Sequence, residues 1–425
     1  DNAASSPLPS ARLHATLRPW AAQPLQQAQA SVQALDLALL WPTAPRTALS
    51  GEAALRPLPD QPLTAWALQA DLANAAPGRW NDARLPLAQL KAEGRLLQAE
   101  TGAVMELESS EALLGPGGRD GRIRLQGRWQ AAPALVQGEA TLSGVSLAAV
   151  QQGWDAAPLA GRVTARQGAD GIVRFAADLR AAAAATGGLR SVQALALQGQ
   201  WNGARDGGTL VLDRLRLAAL QARLEADDLT LSRTPLRAAG EARASLPGAT
   251  LAWSGQWSAA QGRGQALLRW SDAAAAQAWL AQWPGMAERL AAGRASGQGE
   301  AQAQWQGGWQ SALDAWAALQ QGRPPAASAP GMPWQLRLRS DRGGWQPAGG
   351  TAATHWSGLD LQAQGDLRQL QLRAQGDVQS GPHRVAAQTE GQARWSAAGQ
   401  WQTTVDRLEA RWNKGRHTPW TARLD

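Results

Sequence analysis

The feature that most constrains this chain is an alternation of side chains that ends, five times over, in glycine and tryptophan. RIRLQGRW sets Ile123, Leu125, Gly127 and Trp129 at steps of two, and LALQGQW does the same with Leu195, Leu197, Gly199 and Trp201. ATLAWSGQW gives Leu251, Trp253, Gly255 and Trp257. AQAQWQGGW gives Ala301, Ala303, Trp305, Gly307 and Trp309, and ARWSAAGQW gives Ala393, Trp395, Ala397, Gly399 and Trp401. The positions between them are mostly Arg, Gln, Ser or Ala. A period of two is the signature of a strand with one apolar and one wet face. On such a strand Gly255 reads as a notch between two indoles, where a backbone or a ligand passes close.

Other segments alternate without the tryptophan ending, among them Trp66 to Leu72, Leu359 to Leu367 and Leu370 to Val378. Turn signals such as Gly115-Pro116-Gly117-Gly118, Arg205-Asp206-Gly207-Gly208 and Ser380-Gly381-Pro382 separate them. The tryptophan motif recurs at uneven intervals, which excludes the fixed period of propeller blades or a strict solenoid. Helices are few. Ser271-Asp272 caps an alanine-rich segment that stops at Pro284-Gly285, Met286 to Ala292 resumes it, and Ser311 caps a third over Leu313, Trp316 and Leu319. The pattern divides the chain into an irregular start of the β array (1–120), a β-repeat segment (121–270), short helices with a β insertion (271–322) and a continuing β-repeat segment (323–425). Residues 1–10 and 42–62, rich in proline, read as irregular, and GRPPAASAPGMP over 322–333 reads as a linker.

An apolar face repeated over so many strands needs a cover. Fully burying one tryptophan stabilises by roughly 4–6 kcal/mol on an area basis. Two arrangements supply the cover. Either the faces close on themselves as a sandwich or β-helix core, or they line an open trough that holds an apolar ligand, most economically acyl chains.

Chemistry finds little to stand on. The chain has no cysteine, which removes disulfides, thiolate nucleophiles and cysteine-ligated zinc. The four histidines, His14, His355, His383 and His417, are isolated, and no HExxH, GxSxG, phosphate-loop or dinucleotide signature occurs. No metal, cofactor or enzymatic role is expected. The net charge of +7 is carried by arginines spread singly through alternating runs such as Leu336-Arg337-Leu338-Arg339, without a basic block, so nucleic acid is not an expected partner. Weak attraction to anionic lipid headgroups suits the same charge. No signal peptide or apolar span is visible, and a chain opening at Asp1 reads as a piece of a longer protein.

The order of short motifs resembles the TamB family of translocation and assembly module subunits, and more broadly the AsmA-like bridge proteins of Gram-negative envelopes. PLAGRVTAR (Pro158 to Arg166), preceded by LSGVSLAAVQQ, looks like the family's strand opening after a short helix. Ala276 to Trp309 looks like its helix-then-strand passage. AAGQWQTTVDRLEARW followed by TPWTARL, and Pro333-Trp334 with Leu336 and Leu338, look like its paired strand unit. The likeness covers most of residues 120–425.

The resemblance implies an elongated, curled β-sheet, a β-taco or open β-helix-like trough with a few short helices. It also implies a non-enzymatic periplasmic bridge that conducts phospholipid between inner and outer membranes and supports outer-membrane protein assembly with a TamA-like β-barrel partner. Anchorage in the envelope would come through regions outside this chain. Ile123, Leu125, Trp129, Leu195, Leu197, Trp201, Leu251, Trp253, Trp257, Trp305, Trp309, Trp395 and Trp401 would line the trough against acyl chains. The alternatives are a structural, adhesin-like segment with a closed core, and a scaffold that binds outer-membrane protein strands by edge pairing.

Overall fold

Alternation is converted into sheet almost everywhere it occurs. In a computed structural model of the chain, 23 strands form an antiparallel sheet that is not closed into a barrel, with a few short helices between strands. The structure describes residues 9–20, 25–58, 65–99, 102–130, 135–154, 157–168, 170–181, 191–203, 208–283, 285–321, 332–349, 352–366, 368–395, 400–414 and 418–424. The chain divides into two compact units, Asp1–Gly203 with Asp213–Leu220, and Ala204–Leu212 with Gln221–Asp425.

The first unit opens with β1 (Ser10–Leu17), β2 (Leu25–Leu35), the single turn α1 (Leu37–Leu40), β3 (Leu49–Pro57) and β4 (Ala65–Asn74). It continues through β5 (Leu87–Ala99), β6 (Gly102–Leu114), β7 (Arg122–Gln130), β8 (Leu135–Ser146) and the turn α2 (Leu147–Val150). Strands β9 (Pro158–Gln167), β10 (Val173–Ala181) and β11 (Val192–Asn202) follow, and then β12 (Thr209–Ala219), of which residues 213–219 belong to this unit and 209–212 to the second. From β1 to β11 each strand pairs antiparallel with the next in sequence, an uninterrupted meander.

The second unit repeats the plan. It contains β13 (Ala222–Arg233), β14 (Leu236–Leu246), β15 (Ala249–Ser258) and β16 (Gly262–Trp270), then α3 (Ala273–Leu280) and α4 (Met286–Leu290). Next come β17 (Gly293–Gln306), α5 (Trp309–Gln320), β18 (Trp334–Pro347) and β19 (Thr354–Gly365). Strands β20 (Gln369–Ser380), β21 (His383–Trp395), β22 (Trp401–Lys414) and β23 (Trp420–Leu424) complete it. Here too neighbours in sequence are neighbours in the sheet.

The helices are tied down locally. Asp272 caps α3, its Oδ1 accepting from the backbone N–H of Ala274 and Ala275 at 2.9 and 3.1 Å. Gln277 on α3 donates to the carbonyls of Leu290 and Gly293 and accepts from Ala295 N, which fixes the helix to the start of β17.

Several expectations are corrected. The proline-rich stretch 42–62 is not irregular throughout, because β3 occupies Leu49–Pro57. Its Leu49, Gly51, Ala53 and Leu55 alternate, and the only proline inside the strand is its last residue. More broadly, residues 1–120 hold six regular strands rather than an irregular start. Leu142 belongs to β8, and the helix expected there is the single turn α2. Ser311 does not cap α5, which begins two residues earlier; its hydroxyl donates to Gly308 O at 2.8 Å. The linker 322–331, the turn residues 204–207 and Pro284 lie outside the described residues.

Candidate apolar binding face

The strand registers decide which alternating residues share a surface. In the first unit one row runs across neighbouring strands through Ser110, Leu125, Ala140, Val163, Ala177 and Leu197. The adjacent row runs through Ala112, Ile123, Leu142, Gly161, Leu179 and Leu195. Trp129 faces Met105, and Trp201 faces Val173, on the same side. The predicted residues of β7 and β11 therefore belong to one continuous face, although the two strands are far apart in sequence.

The second unit has the same construction. One row carries Leu251, Leu268, Ala301, Leu338, Leu361 and Ala374. The next carries Trp253, Ala266, Ala303, Leu336, Ala363 and Leu372, and a third carries Gly255, Gly264, Trp305, Trp334, Gly365 and Leu370. Small residues interrupt the bulky ones in each row, as Ala301 does between Leu268 and Leu338, Ala363 between Leu336 and Leu372, and Gly365 between Trp334 and Leu370. Gly255 has a φ of +137°, and a Cβ there would overlap the Arg263 carbonyl and the Gly264 backbone. The notch is real, but it admits the neighbouring strand rather than a ligand.

Trp309 is the exception among the predicted residues. It is not on a strand: β17 ends at Gln306, Gly307 adopts φ +108°, and Trp309 begins α5. Two consecutive glycines break the alternation, and Gly308 packs against the Ala259–Ala260 backbone so closely that no Cβ fits. The helix still returns Trp309 to the group, with its ring stacked on Trp257 at 5.5 Å between centroids and 28° between planes. Trp395 and Trp401 are paired with each other across β21 and β22.

Among the described residues these rows are only partly covered: Ser110 and Ala112 are buried, at 6% and 7% exposure, while the larger side chains stay open. Leu125 remains 39% exposed, Trp129 46%, Trp201 40%, Leu251 40% and Leu336 41%. Ile123, Leu195, Leu197, Trp253 and Trp305 are half-buried. A closed sandwich core would bring such side chains close to zero exposure. The buried hydrophobics include Val104, Val145, Leu159 and Ala249.

The opposite face is polar and paired. Arg337 donates to Asp360 at 2.7 Å, Arg339 to the same carboxylate at 3.1 Å, Arg162 to Glu139 at 3.1 Å and Arg373 to Glu390 at 3.1 Å. The guanidinium groups are exposed while the carboxylates are partly covered, Asp360 at 14% exposure, and solvent-screened pairs of this kind stabilise by about 1 kcal/mol or less. Hollows of about 570 and 770 Å³ open on this polar side, the first among Gln304, Gln335, Gln364, Gln371 and Arg373, the second among Gln126, Glu139, Arg166 and Gln200.

Sequence reasoning missed part of the face. Trp270, Trp345 and Trp356 lie across glycines of neighbouring strands, Gly299, Gly293 and Gly343. Their signal is a tryptophan opposite or diagonal to a glycine, which appears only once register is known. Among the described residues, no group of three or more His, Cys, Asp or Glu side chains is placed to hold a metal. No helix among them is long and apolar enough to cross a membrane. Comparison with protein-family models, curated proteins and solved structures finds no match for the chain.

Proposed function

We propose that this chain is a non-enzymatic bridge segment of the Gram-negative periplasm whose apolar face carries phospholipid acyl chains between inner and outer membranes. It would also support outer-membrane protein assembly beside a TamA-like β-barrel partner, as the resemblance to TamB implies. One observation carries the reading: leucines and tryptophans of this face remain about 40% exposed, on β7 and β11 in the first unit and on β15, β16, β18, β19 and β20 in the second. Covering the open part of one such indole, out of about 200 Å² of surface, stabilises by about 2 kcal/mol. A ligand lying across several strands collects that gain repeatedly. Acyl chains suit the surface because they need no polar partner and can lie along rows of any length.

The test is a photoreactive amino acid at position 253 or 257 in living cells. Crosslinked phospholipid is the expected product. Crosslinks confined to the chain itself would mean a closed core and overturn the reading, and crosslinks only to unfolded outer-membrane proteins would replace it with the scaffold.

A further inference from the structure

One end of the sheet in the first unit is built differently from a row of simple hairpins. The connections 36–48, 75–86, 115–121 and 147–154 all fall at the same end of the meander, because each follows an even-numbered strand of an up-and-down sheet. They are bonded to one another. Arg46 N donates to Ala83 O at 2.8 Å, Gly115 N to Pro86 O at 2.8 Å, and Ser146 N to Asp120 O at 2.8 Å. Arg79 Nε reaches Ala148 O at 2.8 Å, and the Asn81 and Gln152 side chains close a reciprocal pair through Gln152 N and Asn81 Nδ2 at 3.0 and 3.1 Å. Four connections are thereby locked into one edge.

What this edge presents to water is unusual for a set of loops. Leu39, Leu40, Trp41 and Trp80 are each more than half exposed, and Trp154 is exposed beside them on the connection bonded to Asn81. The charged groups are equally one-sided. Arg46, Arg79, Arg84 and Arg119 are exposed, whereas Asp82 is the one exposed carboxylate among the described residues of these connections. Asp36 is occupied as the cap of α1, accepting from Ala38 N and Thr47 N. Exposed indoles and leucines set among arginines that form no ion pair among the described residues match the interfacial zone of a bilayer. There the ring and aliphatic chain enter the acyl boundary, and the guanidinium meets phosphate.

We infer that this edge docks on an anionic phospholipid bilayer surface. The inference is independent of the cargo proposed for the apolar face, which lies on different residues. It commits to a membrane rather than a protein partner because both halves of the chemistry point to lipid. Among the described residues of these connections the arginines outnumber the carboxylates, and the apolar groups are single rings and chains on the connections themselves.

The test uses the full chain and sedimenting vesicles of phosphatidylcholine, with and without phosphatidylglycerol. Binding is expected with phosphatidylglycerol and should weaken as salt rises. The triple variant Trp41→Ser, Trp80→Ser, Trp154→Ser is expected to bind at least about tenfold less. Arg46→Ser and Arg119→Ser should each lower affinity about fivefold. The control variant Gln304→Ser, on the exposed polar face of β17, should bind as the parent does. No binding by the parent, or undiminished binding by the triple variant, overturns the inference, as does an equal loss of binding in Gln304→Ser. Because the chain has no cysteine, Trp80→Cys carrying an environment-sensitive dye reads the edge in an otherwise unaltered fold. Its emission should move to the blue on anionic vesicles while a dye at Gln304→Cys does not respond. An unmoved signal at position 80 also overturns the inference.

Discussion

The six-membered ring of Trp305 lies over Gly264 on the neighbouring strand, so close that a Cβ on the glycine would stand 2.5 Å from Cζ2. The arrangement recurs where Trp270 covers Gly299, Trp345 covers Gly293 and Trp356 covers Gly343. Glycine weakens a strand by roughly 0.5–1 kcal/mol relative to alanine. Here it lets an indole lie down across the sheet and shield the backbone that the missing side chain leaves bare. The ring gains contact while its outer face stays open, which is how a sheet can display tryptophan without a second layer.

Gly264→Ala should therefore destabilise the second unit by about 1–3 kcal/mol, the range for overpacking. Besides the ring, the new methyl group meets Ser254 O at 2.6 Å, a backbone atom that cannot rotate away. Adding Trp305→Ala is expected to restore only part of the loss. Urea unfolding followed by circular dichroism measures both, and full restoration would show that the ring alone sets the limit.

The Trp257–Trp309 stack joins α5 to the sheet at its first turn, where Gln310 N also donates to Ala259 O at 3.1 Å. Trp309→Ala removes the stack, worth about 0.5–1.5 kcal/mol beyond its buried area. The expected result is faster amide exchange throughout α5 with little change in β15. Equal acceleration in both would mean that the helix holds the strand rather than the reverse.

Asp170 turns the β9–β10 connection. Its carboxylate accepts from Arg174 at 2.8 Å and from Ile172 N at 3.0 Å, and these bonds hold its pKa below the ordinary carboxylate value. A folded pKa below the unfolded one means that the stabilisation is fully present above the unfolded value, about 3.9, and disappears as pH falls through the lower folded value. The group is fully exposed, so the effect is small and screened by salt. Asp170→Asn should be slightly less stable than the parent at neutral pH, and the two should converge in acid. A difference that persists in acid would assign the effect to turn geometry rather than charge.

Much of this architecture is legible in the sequence because a sheet with one wet face imposes a period of two. Leu125 and Leu197 alternate with Arg and Gln, and both reach the same row. Register is not legible, since it depends on bulges such as that between Leu107 and Ser110 and on connections whose bonding partners are distant in sequence. The locked edge is hidden for the same reason: Asn81 and Gln152 show no pattern until the strands between them are folded. Trp309 escapes because alternation continues through Gly307 on paper, whereas two glycines let the backbone leave the strand. Between β2 and β4, the prolines mark where β3 stops but say nothing of the alternating residues before them.

The openness of the apolar face has its own thermodynamic signature. Leu125 and Leu159 share a chemistry and a unit but differ in cover, at 39% and 3% exposure. Leu159→Ala removes a packed side chain and leaves a cavity, so it should destabilise by about 2–5 kcal/mol. Leu125→Ala leaves no cavity, because water already reaches the site, and only the buried part of its transfer energy is lost, about 1–1.5 kcal/mol. If a second layer closed over the face in solution, Leu125→Ala would fall in the same range as Leu159→Ala. Monomeric short-chain phosphatidylcholine separates the two positions further. Bound acyl chains would cover Leu125 and leave Leu159 untouched, so the lipid should raise the parent's urea midpoint, raise it less in Leu125→Ala, and shift Leu159→Ala as much as the parent. Equal shifts in all three proteins would place the lipid elsewhere than on this row.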